Sequence, residues 1–237
     1  MQFITSFIKI KMCVKKLSIY QTYYLNILKK LALFISVVFH PLLMATYGCL
    51  LLFFCIQNTV YDYLTPFDAK WRVTFIVFFF SMIFPALNIF ILFRLKRIPS
   101  ILLSKPSDRT YPYIITALFY FGLFYLLLDV NIWNSIKLFI LGGGVAILLT
   151  SLINFKTKIS AHMVGLGGIL GLIISVSQLI KFDMTLFYII IILIAGLVGS
   201  ARLILDEHKP YQLYLGFLLG FIVQISLFLG LQKIIFA

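Results

Sequence analysis

Arg202 and His208 stand six residues apart in Ala201-Arg202-Leu203-Ile204-Leu205-Asp206-Glu207-His208-Lys209-Pro210-Tyr211-Gln212. An arginine offers a planar fork of N–H donors that matches the oxygens of a phosphate. A neutral histidine is a nucleophile or an acid–base group near neutral pH. Side by side, the two suit the holding and attack of a phosphoryl group. The same letters also read as a basic interfacial loop whose cations pair with Asp206 and Glu207. Against that, Arg202 has apolar neighbours at the end of a long apolar run, where an ionised group needs a reason.

Two other stretches carry similar residue types. Lys158-Ile159-Ser160-Ala161-His162 opens a further apolar run. Ser160 is placed to cap that helix, and the free amides of a first turn favour an anion. His162 is then placed to donate a proton. An ordinary cap with a snorkelling Lys158 and an interfacial His162 fits the same pattern. Lys105-Pro106-Ser107-Asp108-Arg109-Thr110-Tyr111-Pro112 opens a third run and, taken alone, reads as a basic loop. His40, before Pro41, is either a site residue or a buried histidine bonded to backbone that the proline frees.

The elements that must position these groups are membrane helices. Of 237 residues, 62% are hydrophobic and 11% charged, and the mean hydropathy is +1.09. Soluble domains sit nearer half apolar and a quarter charged. An all-α polytopic bundle of about seven spans is expected, at 31–56, 71–93, 112–128, 135–153, 161–180, 184–205 and 210–235, each near the length a bilayer needs. The spans at 112–128 and 135–153 are weakest, as tilted or partly shielded helices would be. Pro41 and Pro85 predict kinks, and Trp133 reads as an interface anchor.

A basic segment, 1–30, precedes one membrane domain, 31–237. Tyrosines among its lysines suit a segment lying on the membrane surface or a solvated tail. Lys9 and Lys11 fall where a signal peptide's apolar stretch would follow, so no cleavable signal is expected. The net charge of +13 reflects membrane topology, and no soluble basic domain is present to offer nucleic acid. Cys13, Cys49 and Cys55 show neither disulfide nor metal spacing. Gly165-Leu166-Gly167-Gly168-Ile169-Leu170-Gly171 lies inside a span with no preceding strand. Close helix packing through Gly167 and Gly171, and through Gly216 and Gly220, is the expected use of these glycines.

Seven spans place the N-terminus and the loops after spans two, four and six on one side. Arg109, His162, Arg202 and His208 all fall there. Fifteen of the 20 Lys and Arg lie on that side as well. Setting aside Lys105, Arg109, Lys158 and Arg202, which chemistry alone would explain, eleven still oppose five. The positive-inside rule then puts the N-terminus and the site loops in the cytoplasm and the C-terminus outside.

Together the three stretches resemble the type 2 phosphatidic acid phosphatase superfamily. Its motifs read Lys-x6-Arg-Pro, Pro-Ser-Gly-His and Ser-Arg-x5-His-x3-Asp. Arg202 and His208 match the third, Ser160 and His162 the second, and Arg109 the first. The chain looks most like a bacterial branch with Arg-x-x-Pro and Lys-Ile-Ser-x-His motifs. The resemblance implies an integral protein of a bacterial inner membrane that hydrolyses a lipid-borne phosphate, phosphatidate-like or polyprenyl, without metal or cofactor. His208 would form a phosphohistidine and His162 would protonate the leaving alcohol. Arg202 and Arg109 would hold the phosphate, helped by Lys158, Lys105 and Ser160.

The departures are Leu102 for the first-motif Lys, Thr110 for its Pro, Ile159 and Ala161 in the second motif, Ala201 for Ser, and Gln212 for the Asp that orients the nucleophile. An amide can hold an imidazole but cannot support its positive charge. In an unrelated triad, losing such a carboxylate costs about four orders of magnitude. Asp206 or Glu207 standing in for that carboxylate is one expectation. A catalytically weakened relative that binds lipid phosphate, or serves as a partner subunit, is the alternative.

Overall fold

The computed structural model describes residues 23–56, 59, 65–101, 103 and 106–235. Among them are seven segments long and apolar enough to cross a membrane, running from Tyr23–Cys55 to Pro210–Leu231. The chain is an all-α polytopic membrane bundle, with no strand among the described residues. Residues 1–22 of the basic segment lie outside the described part, as do Leu102 and Lys105. Residues 23–30 form the first turns of α1, 23–38.

Pro41 breaks the first span. It has no N–H to donate, and the N–H of His40 turns to the carbonyl of Val37 at 3.3 Å. The Ser36 carbonyl, which a continuous helix would have given to His40, is thereby released. A single 3-10 turn, Pro41–Leu43, follows, and the His40 side chain closes it: Nδ1 accepts the N–H of Leu42 at 3.3 Å. Helix α2, Met44–Leu50, completes the span with a wide turn at Leu51–Cys55.

The second span is α3, Phe67–Phe78, and α4, Phe84–Arg94, joined by a wide turn at Phe79–Ile83. Pro85 lies in the first turn of α4, so the expected kink is absorbed there. The third span begins earlier than expected. Helix α5 covers Pro106–Leu127 and carries Pro112 inside it. Arg109 is therefore a first-turn helical residue, not a loop residue. Proline suits a first helical position because its missing N–H would have had no intrahelical partner.

Helices α6, Asn134–Ile153, and α7, Ala161–Ile180, form the centre: 56% of each apolar window is buried, against 17% for Phe67–Arg94. The predicted shielding of the fourth span is real. Trp133, expected at the membrane interface, is instead buried at 5% exposure beneath the start of α6. It belongs to the same apolar cluster as Leu127 and Ile136.

Helix α9, Pro210–Ile235, runs against α7 along a seam of glycines. A Cβ on Gly220 would strike the carbonyl of Val164, and one on Gly167 the carbonyl of Phe217. A Cβ on Gly216 would come to 2.7 Å from the Ser160 carbonyl. In a bilayer, where association between helices rests on contact and not on apolar burial, small residues let backbones approach this closely. The Ser160 N–H also donates to the Gln212 carbonyl at 3.2 Å. The starts of α7 and α9 are thus pinned together, and so are the two histidines that follow and precede them.

Helix α8, Thr185–Ile204, ends in a tight reversal. Asp206 adopts φ 55°, its N–H donates to Leu203 O at 2.9 Å, and Glu207 N–H donates to Arg202 O at 3.1 Å. That pair of bonds is the Schellman arrangement, here with Asp where Gly is usual. It brings Glu207 and His208 back beside the turn that carries Arg202.

Candidate functional site

A cavity of about 540 Å³ opens where α5, α7 and α9 begin and α8 ends. Ser36, His40, Arg109, His162, Arg202, Glu207 and His208 line it, and Leu33, Val37, Ile89, Leu103 and Ile147 supply apolar wall. Arg109, His162, Arg202 and His208, from the three stretches singled out in the sequence, therefore share one chamber, and His40 lines it too. Its size is that of a small-molecule site, and its mixed lining suits an amphiphile.

Two arginines face this space from different helices. Nη1 of Arg202 donates to Ser36 Oγ at 3.3 Å, and Nη2 lies 3.7 Å from Glu207 Oε2. Its Nε is buried with no hydrogen-bond partner among the described residues. A buried donor without an acceptor is costly, and an anion in the cavity would satisfy it. Arg109, 6% exposed, donates through Nε to Leu103 O at 2.6 Å. Leu103 holds the left-handed φ of 50°, uncommon for a branched side chain, and so turns that carbonyl toward the guanidinium.

Lys158 approaches the same carboxylate as Arg202, with Nζ 3.4 Å from Glu207 Oε2. Burial first and Arg109 second hold its ammonium below the ordinary value, while Glu207 acts in the opposite sense. Glu207 is thus committed to two cations. It does not take the place of an orienting carboxylate on His208, and Asp206 is exposed on the reversal.

Gln212 holds His208. Its Oε1 is 3.2 Å from Nδ1 of His208 and 3.0 Å from the backbone nitrogen of Lys209. The Lys209 amide can only donate, so Oε1 is an acceptor and Nδ1 must carry the proton. Nε2 is left with the lone pair. Burial, then Lys158, Arg202 and Arg109, push the His208 pKa down to about 3, and the bond to Gln212 offsets this in part. The ring is neutral at any physiological pH. The bond to Lys209 also explains the residue type: with Pro210 at the first helical position, Gln212 is the third and reaches back to the cap amide as in a capping box.

His162 is fixed in the opposite tautomer. Its Nε2 lies 3.0 Å from the Ser36 carbonyl, which can only accept, so Nε2 carries the proton and Nδ1 is open. The acceptor is the carbonyl released by the break at Pro41. Edge-on to His162, with ring centroids 5.8 Å apart, stands His40.

Ser160 departs from its expected role. It occupies the cap position of α7 with extended backbone, but its hydroxyl makes no capping bond and is buried without a partner among the described residues. Instead Asn154 Oδ1 accepts the Ile159 N–H at 3.3 Å and orders the preceding loop. Sequence reasoning missed Ser36. It lies in a plain apolar run, and only the effect of Pro41 one turn later on its carbonyl signals it. Among the described residues no three His, Cys, Asp or Glu side chains are grouped closely enough to hold a metal ion.

Comparisons with family models, with curated proteins and with solved structures gave no match to this chain.

Proposed function

We propose that the protein is an integral membrane phosphatase for a lipid-borne phosphate, working through a phosphohistidine. The observation that carries this reading is the convergence of Arg109, His162, Arg202 and His208 on one cavity, with the lone pair of His208 left on Nε2. Arg202 and Arg109 hold the phosphate oxygens. Nε2 of His208 attacks phosphorus, and the bond from phosphorus to the ester oxygen breaks. Nδ1 of His162, open in the resting site, takes the proton of the monoanionic phosphate ester and passes it to the departing alcohol. It then takes one from the water that cleaves the P–N bond and releases phosphate. The apolar wall accommodates the lipid tail. This assignment accords with the sequence resemblance to the phosphatidic acid phosphatases.

We infer that the N-terminus and this site face the cytoplasm from a bacterial inner membrane, with the C-terminus outside; the lysine and arginine asymmetry supports that orientation.

A specific feature favours a second reading. Gln212 cannot support the positive charge that His208 gains when it is phosphorylated, as a carboxylate would. On that reading the protein binds lipid phosphate without turning it over. Purified protein assayed for phosphate release from phosphatidate, phosphatidylglycerophosphate and polyprenyl phosphates decides between them. Turnover abolished by His208→Ala supports the phosphatase. Arg202-dependent binding of those lipids without release supports the binder. Under the phosphatase reading His162→Ala slows poor leaving groups most, because an acidic alcohol departs without a proton donor.

A further inference from the structure

Besides apolar wall, the first span brings Ser36 and His40 to the cavity, outside the three stretches whose spacing suggested a phosphate site. Ser36 is occupied: its carbonyl accepts from His162 at 3.0 Å and its hydroxyl from Arg202 at 3.3 Å. Leu33 is apolar wall. His40 is different. Its backbone is extended, φ −64° and ψ 137°, at the break before Pro41. Its Nδ1 accepts the Leu42 N–H at 3.3 Å, so the neutral ring must carry its proton on Nε2. That N–H is across the ring from the bond that fixes it. The ring lines the cavity and lies edge-on to His162.

The ring therefore has two ends with two roles. Nδ1 closes a backbone turn. Nε2–H is a donor whose orientation that closure sets in advance, and preset donors act without reorganisation when charge arrives. The two arginines, from α5 and α8, and His40, from the break in the first span, line the same cavity as His208.

We propose that His40 is a further substrate-contacting residue, donating its Nε2–H to an oxygen of the phosphate monoester held by Arg109 and Arg202. The assignment rests on the phosphate-site reading above and adds a contact from the first span. The break at Pro41 acquires a function by the same step: it releases the Ser36 carbonyl for His162 and sets His40 as a donor.

Two substitutions separate the ends of the ring. His40→Asn keeps an acceptor where Nδ1 sits, and asparagine is a favoured cap, but nothing reaches as far as Nε2. His40→Gln keeps an N–H donor near Nε2 and loses the cap. Binding to the full-length protein in detergent is measured with two probes, inorganic phosphate and dioctanoyl phosphatidate, alongside thermal unfolding. The expected result is that His40→Asn weakens binding about tenfold, the scale of one hydrogen bond to a charged group, while unfolding near the wild-type temperature. His40→Gln stays within about threefold of wild type in affinity, although it unfolds at a lower temperature. Loss with both probes assigns the contact to the phosphate. Loss with phosphatidate alone overturns the assignment in favour of a glycerol or acyl contact. Wild-type affinity in His40→Asn, or equal weakening in both variants, shows a purely structural histidine and overturns it too. A wild-type protein that binds neither probe refutes the phosphate-site reading itself, whatever the variants do.

Discussion

Gln212 Oε1 accepts from two donors at once, Nδ1 of His208 at 3.2 Å and the Lys209 amide at 3.0 Å. One side chain thus sets the tautomer of His208, the proposed nucleophile, and caps the helix that follows it. The amide gives orientation without charge. Gln212→Glu retains the length that both bonds use and adds the charge. We expect turnover to rise by about tenfold, a fraction of what carboxylate loss costs elsewhere. The His208 titration, followed by NMR of labelled histidine, should move upward. An upward titration with unchanged turnover would show that charge on this residue does not limit the reaction.

The low pKa of His208 has a thermodynamic consequence. Folded His208 gains its proton only near pH 3, whereas its ordinary value is 6.5. Between those values the unfolded chain binds a proton that the folded protein excludes. Stability contributed by this neutral ring is full above pH 6.5 and falls as pH drops toward 3. His208→Gln, which cannot titrate, should therefore lose less melting temperature than wild type between about pH 6.5 and pH 4. Parallel melting curves for the two proteins would contradict the shift. Any loss of activity near neutral pH must come from another group.

Much of this architecture was legible in the letters. The spans at 161–180 and 210–235 were placed to the residue, because Ser160 and Pro210 punctuate them and apolar runs of bilayer length follow. The glycine seam was legible for a similar reason, since Gly167, Gly171, Gly216 and Gly220 recur at helical spacing. What escaped was decided by contacts. Trp133 looked like an interface anchor because composition carries no information about what packs over it. Ser160 has the type and position of a cap, yet Asn154 serves the neighbouring amide. Arg109 moved from loop to helix because Pro106 starts α5 a turn and a half before the apolar run. Ser36 was invisible: its role is a carbonyl released by a proline five residues away, taken up by a histidine 126 positions along the chain.

The seam between α7 and α9 positions the site, so it is open to test by packing alone. A methyl group on Gly220 meets the Val164 carbonyl, a backbone atom that cannot swing aside. Gly220→Ala should destabilise the protein by about 1–3 kcal/mol, the usual cost of overpacking. Gly196→Ala, with nothing within 4 Å of the new atom, is the control and should gain slightly from better helix propensity. Thermal unfolding in one detergent compares them. Equal melting temperatures would show that the helices separate enough to admit the methyl group.

The proposed orientation of the site rests on charge and can be tested independently of any chemistry. The seven spans among the described residues put the two ends of the described chain on opposite sides. Lys156 lies in the loop between α6 and α7, at the same end as the start of α5, the end of α8 and the start of α9. Lys233 lies in the last turns of α9, at the opposite end. A cysteine introduced after Lys233, in a chain whose own Cys13, Cys49 and Cys55 are replaced, should react with an impermeant maleimide added to intact cells. One introduced beside Lys156 should react only after the membrane is opened. Lysine and arginine bias orients helices because cationic loops resist translocation, so fifteen against five favours this arrangement. The reverse labelling pattern would place the cavity on the outer face. The phosphate would then have to be offered from the outer leaflet, and the residues of the site would keep their geometry unchanged.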